Sequence, residues 1–346
     1  MDQDGRPSGD VTSGEIRSFS GDLNFRVTWK NGLDFGNLFD VVGDNDYVFF
    51  HTTGAPLFFD AVHEAQKSLY LGTSGTDLLT AFGPNDFLDG KTGNDFFFLS
   101  ASSGTLKGGA GKKDTLDLFR ADSGARINFE KGFVKIDGEK TKIKGIEIVS
   151  ATDFDDVVIS DNEKRDIRTW LGDDLIDARS NDKVDAGEGK DTIVAFGSNI
   201  KIDAGADADT ISAIGPNIRV QGGAGHDDIT IISKNGVALG GGGKDVIVSS
   251  GVNTRIKGGA GEDSIEVTKG SATVSGGAGM DAFIFRQTEA SVTIDDYEAG
   301  EEVRVFEIAS GVTVQQQDDD VVISFFSGGK VTILDTTVAE VNLIEG

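Results

Sequence analysis

Six aspartates recur at 18-residue intervals, Asp191, Asp209, Asp227, Asp245, Asp263 and Asp281, each closing a glycine-rich stretch such as Gly222-Gly223-Ala224-Gly225-His226-Asp227. A carboxylate repeated in strict phase, preceded by residues that expose backbone carbonyls, is chemistry for a hard cation: oxygen donors of this kind suit calcium. Gly187, Gly189, Gly205, Gly223, Gly225, Gly241, Gly243, Gly259, Gly261, Gly277 and Gly279 occupy the turns of these copies and would offer the carbonyls. Cysteine is absent and only three histidines are scattered along the chain, which excludes disulfides and thiolate sites and leaves little for zinc. No serine-hydrolase elbow, zinc-protease motif or phosphate-binding loop occurs, and no catalytic or organic-cofactor residue is assigned.

The spacing dictates the elements that must carry these side chains. An apolar residue stands two places after each aspartate and another nine residues on, giving the series Ile193, Ile202, Ile211, Val220, Ile229, Ala238, Ile247, Ile256, Ile265, Val274 and Phe283. A step of nine matches no helical period; two short strands and two turns per 18-residue coil satisfy it and direct every member of the series inward. Val158, Ile167, Ile176 and Val184 extend the series backward with one eight-residue interval. The fold class expected is all-β, a parallel β-roll or β-helix of 18-residue coils with non-repeat β caps. Equivalent atoms of successive coils then sit about 4.8 Å apart. Carboxylates at that distance repel by about 1 kcal/mol in water and about 3 to 4 kcal/mol at an effective dielectric of about 20. Bare, the column must raise its own pKa values; a calcium ion in each of the five gaps between the six turns removes the repulsion.

The opposite edge of the coil carries amides. Asn181, Asn199, Asn217, Asn235 and Asn253 share the 18-residue phase, with Ser271 next, and read as a neutral ladder whose side chains bond backbone groups or the next asparagine. The sequence thus predicts a calcium edge and a calcium-free edge, with Asp174 and Asp182 as weaker members near the start. A shorter roll precedes this one. Asp77, Asp86 and Asp95 recur by nine, as do Leu79, Leu88, Phe97 and Leu106, and a calcium is expected between the Gly72 and Gly90 turns with Asp77 and Asp95 as its acids. One extra residue takes Asp114 out of phase and marks a stop or a distorted coil. Between the rolls, alternation at residues 127–129 and 134–136, near Asp137-Gly138, predicts short strands and turns, and Phe154 is expected to pack inside. After Phe283 the spacing ends, and alternating strands turning at Ser327-Gly328-Gly329 are expected to cap the last coil.

Charge and composition narrow the function. Against 32 basic residues stand 58 acidic ones, a net charge of −26 that repels nucleic acid and anionic lipid and attracts divalent cations. Hydrophobic residues reach 38 %, including 23 phenylalanines, so a packed core is expected rather than disorder. No run of about 18 apolar residues occurs, so no transmembrane segment is expected, and the opening residues lack the basic-then-apolar pattern of a secretory signal. His51 and His63 fall near Asp60 and Glu64 and are read as surface or cap histidines rather than an acid-base group; Asp60 is expected to cap a short helix through Ala65.

The consensus Gly-Gly-x-Gly-x-Asp-x-apolar resembles the calcium-binding nonapeptide repeats of the RTX, or hemolysin-type, proteins. The resemblance implies a right-handed parallel β-roll in which Asp191 through Asp281 take the metal-ligand position and the preceding turns supply carbonyl oxygens. It also implies a secreted or cell-surface protein of a Gram-negative bacterium, exported by a type I system that reads an uncleaved C-terminal signal. The chain departs from the family pattern in one half of the coil, where Gly-Ser-Asn, Gly-Pro-Asn, Lys-Asn-Gly or Gly-Val-Asn replaces the glycine-aspartate motif, so a single row of ions is expected. Five regions follow: an N-terminal cap or partner-binding segment (1–70), a short first roll (71–118), a connecting β segment (119–155), the main roll (156–284) and a C-terminal β cap with the export signal (285–346). The expected function is that of a calcium-dependent extracellular structural, adhesion or surface-assembly protein. The alternative is a polysaccharide-modifying enzyme of the epimerase or lyase kind, or its accessory module. The expected partners are calcium and a cell-surface polysaccharide or another surface protein, not nucleic acid.

Overall fold

The computed structural model describes residues 11–17, 24–33, 49–50, 59–60, 69–81, 85–100, 102–286, 289–306 and 312–345, with backbone alone before residue 70 and at residue 345. None of these residues is helical, and so none belongs to a helix long and apolar enough to cross a membrane. The chain forms two compact units, Met1–Thr152 and Asp153–Gly346.

In the second unit the nine-residue series becomes the wall of a parallel β-solenoid. Thr192–Phe196 pairs in parallel with Thr210–Ile214, which pairs with Asp228–Ile232, so that Ile193, Ile211 and Ile229 stack in register. The second wall repeats the arrangement: Lys201–Ala206, Arg219–Ala224 and Val237–Gly242 align Ile202, Val220 and Ala238. Each strand alternates exposed and buried side chains because successive residues point to opposite faces of a strand, and all eleven members of the series are at most 3 % exposed. The four residues of the backward extension, Val158, Ile167, Ile176 and Val184, are buried as well. Ala186 and Ala204, beside the turns, are fully buried where the interior narrows. A core that gains so few large side chains per coil is thin, so a coil is stabilised mainly by the neighbours it stacks on.

Beyond Phe283 the sequence loses its spacing, but the chain keeps stacking. Ser291–Ile294 pairs in parallel with the preceding coil and Lys330–Ile333 pairs in parallel with Ser291–Ile294. On the other wall Glu302–Phe306 and Asn342–Glu345 do the same. Between them Val312–Gln317 and Asp320–Phe325 form an antiparallel hairpin. The expected turn at Ser327-Gly328-Gly329 then leads into Lys330–Ile333, with Gly328 at φ 94°.

The first unit has its own short solenoid. Leu78–Thr80, Phe96–Phe98 and Thr115–Asp117 stack on one wall, and Leu69–Leu71, Asp86–Asp89 and Gly104–Lys107 on the other. Leu79, Leu88, Phe97 and Leu106 are buried as their spacing requires. Into this roll the chain inserts an antiparallel meander, Ala125–Asn128, Phe133–Ile136 and Glu139–Lys144, whose last strand lies parallel to Gly104–Lys107. Asp137 and Gly138 both take positive φ, 49° and 87°, as a two-residue hairpin turn needs. Nearer the N-terminus Val11–Arg17, Asn24–Leu33 and Phe59–Asp60 form an antiparallel sheet. Asp60 ends a strand; the helix expected after it, together with His51, His63 and Glu64, lies outside the described residues.

One packing expectation is overturned. Phe154 is 45 % exposed, because it occupies the turn just before Asp156 rather than a strand.

Candidate metal centre

Every aspartate of the 18-residue series is buried. Asp174, Asp191, Asp209, Asp227, Asp245, Asp263 and Asp281 are each at most 2 % exposed, as are Asp77 and Asp95 in the first unit. The parallel register stacks them, and the stack is held by one repeated hydrogen bond. The backbone N–H of Asp191 donates to Oδ1 of Asp209 at 2.8 Å, Asp209 to Asp227 at 2.9 Å, Asp227 to Asp245 at 2.9 Å, Asp245 to Asp263 at 2.9 Å and Asp263 to Asp281 at 2.8 Å. Asp156 donates to Asp174 at 2.7 Å and Asp174 to Asp191 at 2.9 Å; in the first unit Asp77 donates to Asp95 at 2.9 Å.

Each carboxylate thus uses one oxygen for its neighbour. The second oxygen, Oδ2, of Asp95, Asp174, Asp191, Asp209, Asp227, Asp245, Asp263 and Asp281 is buried and receives no hydrogen bond. A buried acceptor without a donor costs roughly 1 to 3 kcal/mol, more when charged. What lies beside these oxygens is more oxygen. A Cβ built on Gly222 would stand 2.2 Å from Asp227 Oδ2 and 2.7 Å from the carbonyl oxygen of Gly240. At Gly240 the same position is 2.2 Å from Asp245 Oδ2 and 2.5 Å from the Gly258 carbonyl; at Gly90 it is 2.2 Å from Asp95 Oδ2 and 2.6 Å from the Gly108 carbonyl. At these three positions glycine leaves room for the carboxylate of one coil and the carbonyl of the next to face one spot; Asp174, Asp191 and Asp209 have Thr169, Ala186 and Ala204 there instead.

The other predicted glycines serve the turn itself. Gly187, Gly189, Gly205, Gly223, Gly225, Gly241, Gly243, Gly259, Gly261, Gly277 and Gly279 all have positive φ, between 106° and 153°. Coils touch through them: a Cβ on Gly223 would be 2.0 Å from the Gly205 carbonyl oxygen.

Electrostatics agree with the expected direction and reorder its causes. Burial raises Asp95, Asp191, Asp227 and Asp263 from 3.8 to about 6, Asp209 to about 7 and Asp174 to about 8, and raises Asp245 as well. Repulsion from neighbouring aspartates adds a smaller upward push on most of these, so removal from water rather than charge crowding dominates.

The column is longer than the spacing indicates. Asp114 is fully buried and its Oδ1 accepts from Asp95 N–H at 2.8 Å, so the extra residue is absorbed within the turn and does not stop the coil. Glu147 follows it, accepting from Asp114 N–H through Oε2 at 2.9 Å. In the second unit the pairing of Ala282 with Glu302 sets Glu301 next to Asp281 in the column. Glu301 is fully buried, its Oε1 has no donor, and burial raises it to about 8. Asp156 begins this column. All four acids stand two residues before a buried apolar residue, namely Leu116, Val149, Val158 and Val303, a signal that holds where the 18-residue spacing fails. Asp182 does not belong: it lies on the asparagine edge, where its carboxylate accepts from the N–H groups of Arg165 and Arg179 at 2.9 and 2.7 Å.

The asparagine edge forms as a ladder. Nδ2 of Asn199 donates to Oδ1 of Asn181, Asn217 to Asn199, Asn235 to Asn217 and Asn253 to Asn235, at 2.9 to 3.2 Å. All five take positive φ, 57° to 70°, a conformation asparagine tolerates better than other side chains.

No three carboxylates or imidazoles converge among the described residues. An ion in the column must therefore take most of its oxygens from backbone carbonyls, and the groups beside Oδ2 of Asp95, Asp227, Asp245 and Asp263 are of that kind. The residues fit a hard cation, with the aspartate Oδ2 and the glycine carbonyls as the groups that would hold it and charge neutralisation as what it would supply.

No family model matches the chain, and no curated protein matches it. Among solved structures it is similar to the extracellular lipase LipA from Serratia marcescens, with 16 % identity over 86 % of this chain and 42 % of the lipase and a TM-score of 0.23. The match thus spans less than half of the lipase's length.

Proposed function

We propose that the chain is a calcium-dependent, secreted or cell-surface β-roll that serves as a structural, adhesive or surface-assembly module of the RTX kind, exported from a Gram-negative bacterium through a C-terminal signal. The observation that carries the reading is the file of buried carboxylate oxygens without donors, which at Asp95, Asp227, Asp245 and Asp263 share their spot with a glycine carbonyl of the adjoining coil. Calcium fills such a site with oxygen ligands and removes the cost of the bare charge; magnesium, which demands a tight octahedron and holds its waters, does not. Weak calcium sites are empty in the cytosol and filled outside the cell, so a roll of this design folds after export.

Calorimetry with circular dichroism tests it. The chelated protein at neutral pH should show a reduced β signal, several calcium ions should bind together with a rise in that signal, and magnesium should not replace them. A full β signal under chelation, with no calcium uptake, would reject the reading.

A further inference from the structure

A basic surface of this acidic protein lies apart from the column. In the meander of the first unit, strand alternation turns Thr141 and Ile143 inward and sends Lys140, Lys142 and Lys144 outward. Register then gathers five more groups around them. Lys142 lies opposite Phe133 and beside Thr105, Lys144 beside Lys107, Lys140 opposite Lys135, and Lys135 opposite Arg126. Six cations so share one face of four adjoining strands, and none of them forms an ion pair among the described residues. The neighbouring Asp89 is engaged by Lys91 at 3.2 Å.

Like charges directly opposite one another on a sheet are destabilising. Register sets one acid against them, Asp89 beside Lys107, and Lys91 shares that carboxylate, so the six keep an excess of positive charge. The face adjoins a cleft of about 590 Å³, within the range that holds small ligands, lined among others by Asn85, Phe87, Ser103, Thr105, Lys140 and Lys142. Lysine ammonium groups lie over both half-buried rings of the face, Lys107 at 4.7 Å from the centre of Phe87 and Lys140 at 4.3 Å from that of Phe133.

We propose that this face and its cleft bind a linear carboxylated polysaccharide, with the lysines meeting the uronate carboxylates, Ser103, Thr105 and Asn85 the hydroxyls, and Phe87 the apolar face of a sugar ring. Charge complementarity selects a polyanion. The net charge of −26 selects against the two denser ones, because nucleic acid and anionic membrane extend well beyond a patch of six cations onto acidic surface. A single sugar chain is narrow enough to remain on the patch. The proposal stands apart from the calcium reading, since its residues belong to a different face.

The test uses the full chain, shown by circular dichroism to be folded under the buffer used, and short oligoglucuronate titrated at low salt. Saturable binding is expected that weakens as salt rises. Lys142→Glu should lower affinity about ten-fold, two exposed ion pairs' worth, whereas Lys164→Glu, the same charge change in the second unit, should leave it within about two-fold. Neutral cello-oligosaccharide, oligothymidylate and phosphatidylserine vesicles should each bind more weakly than the uronate. The proposal is overturned by folded protein that does not bind oligoglucuronate, by Lys142→Glu binding as tightly as the parent, or by oligothymidylate or the vesicles binding as tightly as the uronate.

Discussion

Each aspartate of the column has two jobs that ordinary chemistry keeps apart. Oδ1 is a structural acceptor, tying a coil to the backbone of the one before; Oδ2 is a buried charge without a donor. Asparagine separates them, since it keeps the acceptor and removes the charge. Asp227→Asn should therefore stabilise the calcium-free protein at about pH 8 by roughly 1 to 2 kcal/mol, because the parent ionises there against a pKa raised to about 6. In calcium the same variant should lose affinity at the two positions flanking residue 227. Urea melts with chelator and with calcium read both signs, and a calcium-free Asp227→Asn less stable than the parent would show that the charge is not the liability argued here. Glu301 makes the same case at the column's end, and Glu301→Gln should likewise raise calcium-free stability near neutral pH.

At the scale of the coil, the two turns tie neighbouring coils in different ways. The glycine turn brings backbones together: at Gly241, φ is 126° and a Cβ would meet the Gly223 carbonyl oxygen at 1.9 Å. Gly241→Ala should cost more than about 3 kcal/mol through strain and forced separation of two coils, visible as loss of the cooperative melt even in saturating calcium. The asparagine turn approaches its neighbour as closely, a Cβ at Gly215 meeting the Gly197 carbonyl oxygen at 1.8 Å, and in addition ties coils by amides. Asn217→Ala removes one bond to Asn199 and one from Asn235 and leaves alanine at φ 57°. A loss of about 2 kcal/mol is expected, with Asn217→Gly recovering the backbone share. Calorimetric calcium stoichiometry should be the same in both variants; a missing ion would mean that the two edges are not independent.

At the scale of the whole molecule, proton and calcium compete for the buried carboxylates of both units. Their folded pKa values, about 6 to 8 at Asp95 in the first unit and at Asp174, Asp191, Asp209, Asp227, Asp263 and Glu301 in the second, lie above the ordinary 3.8 for aspartate and 4.5 for glutamate. Groups raised on folding stabilise the fold fully below the ordinary value and lose that contribution as pH climbs through the raised one. The chelated protein should accordingly melt higher at about pH 5 than at about pH 8, while calcium affinity rises over the same window because the ligands must be deprotonated. Scanning calorimetry at both pH values, with and without calcium, decides it; a chelated protein that is more stable at the higher pH would contradict the burial of these charges.

Much of this was legible without coordinates because a stack of identical coils turns distance along the chain into position in space. The nine-residue apolar step identified the buried wall, and the 18-residue step identified aspartates and asparagines that share an edge, since neighbouring strands are hydrogen-bonded at one fixed spacing. Where insertions broke the step, position had to come from pairing: Asp114, Glu147 and Glu301 joined the column because backbone register, not count, sets who is adjacent, and Asp182 left it for the same reason. The basic face is the clearest case. Lys135, Lys140, Lys142 and Lys144 lie close together along the chain, but only the parallel docking of their hairpin on Gly104–Lys107 brings Lys107 and the cleft beside Phe87 to them. Repetition is a local code, and contacts across an inserted hairpin are not repeated.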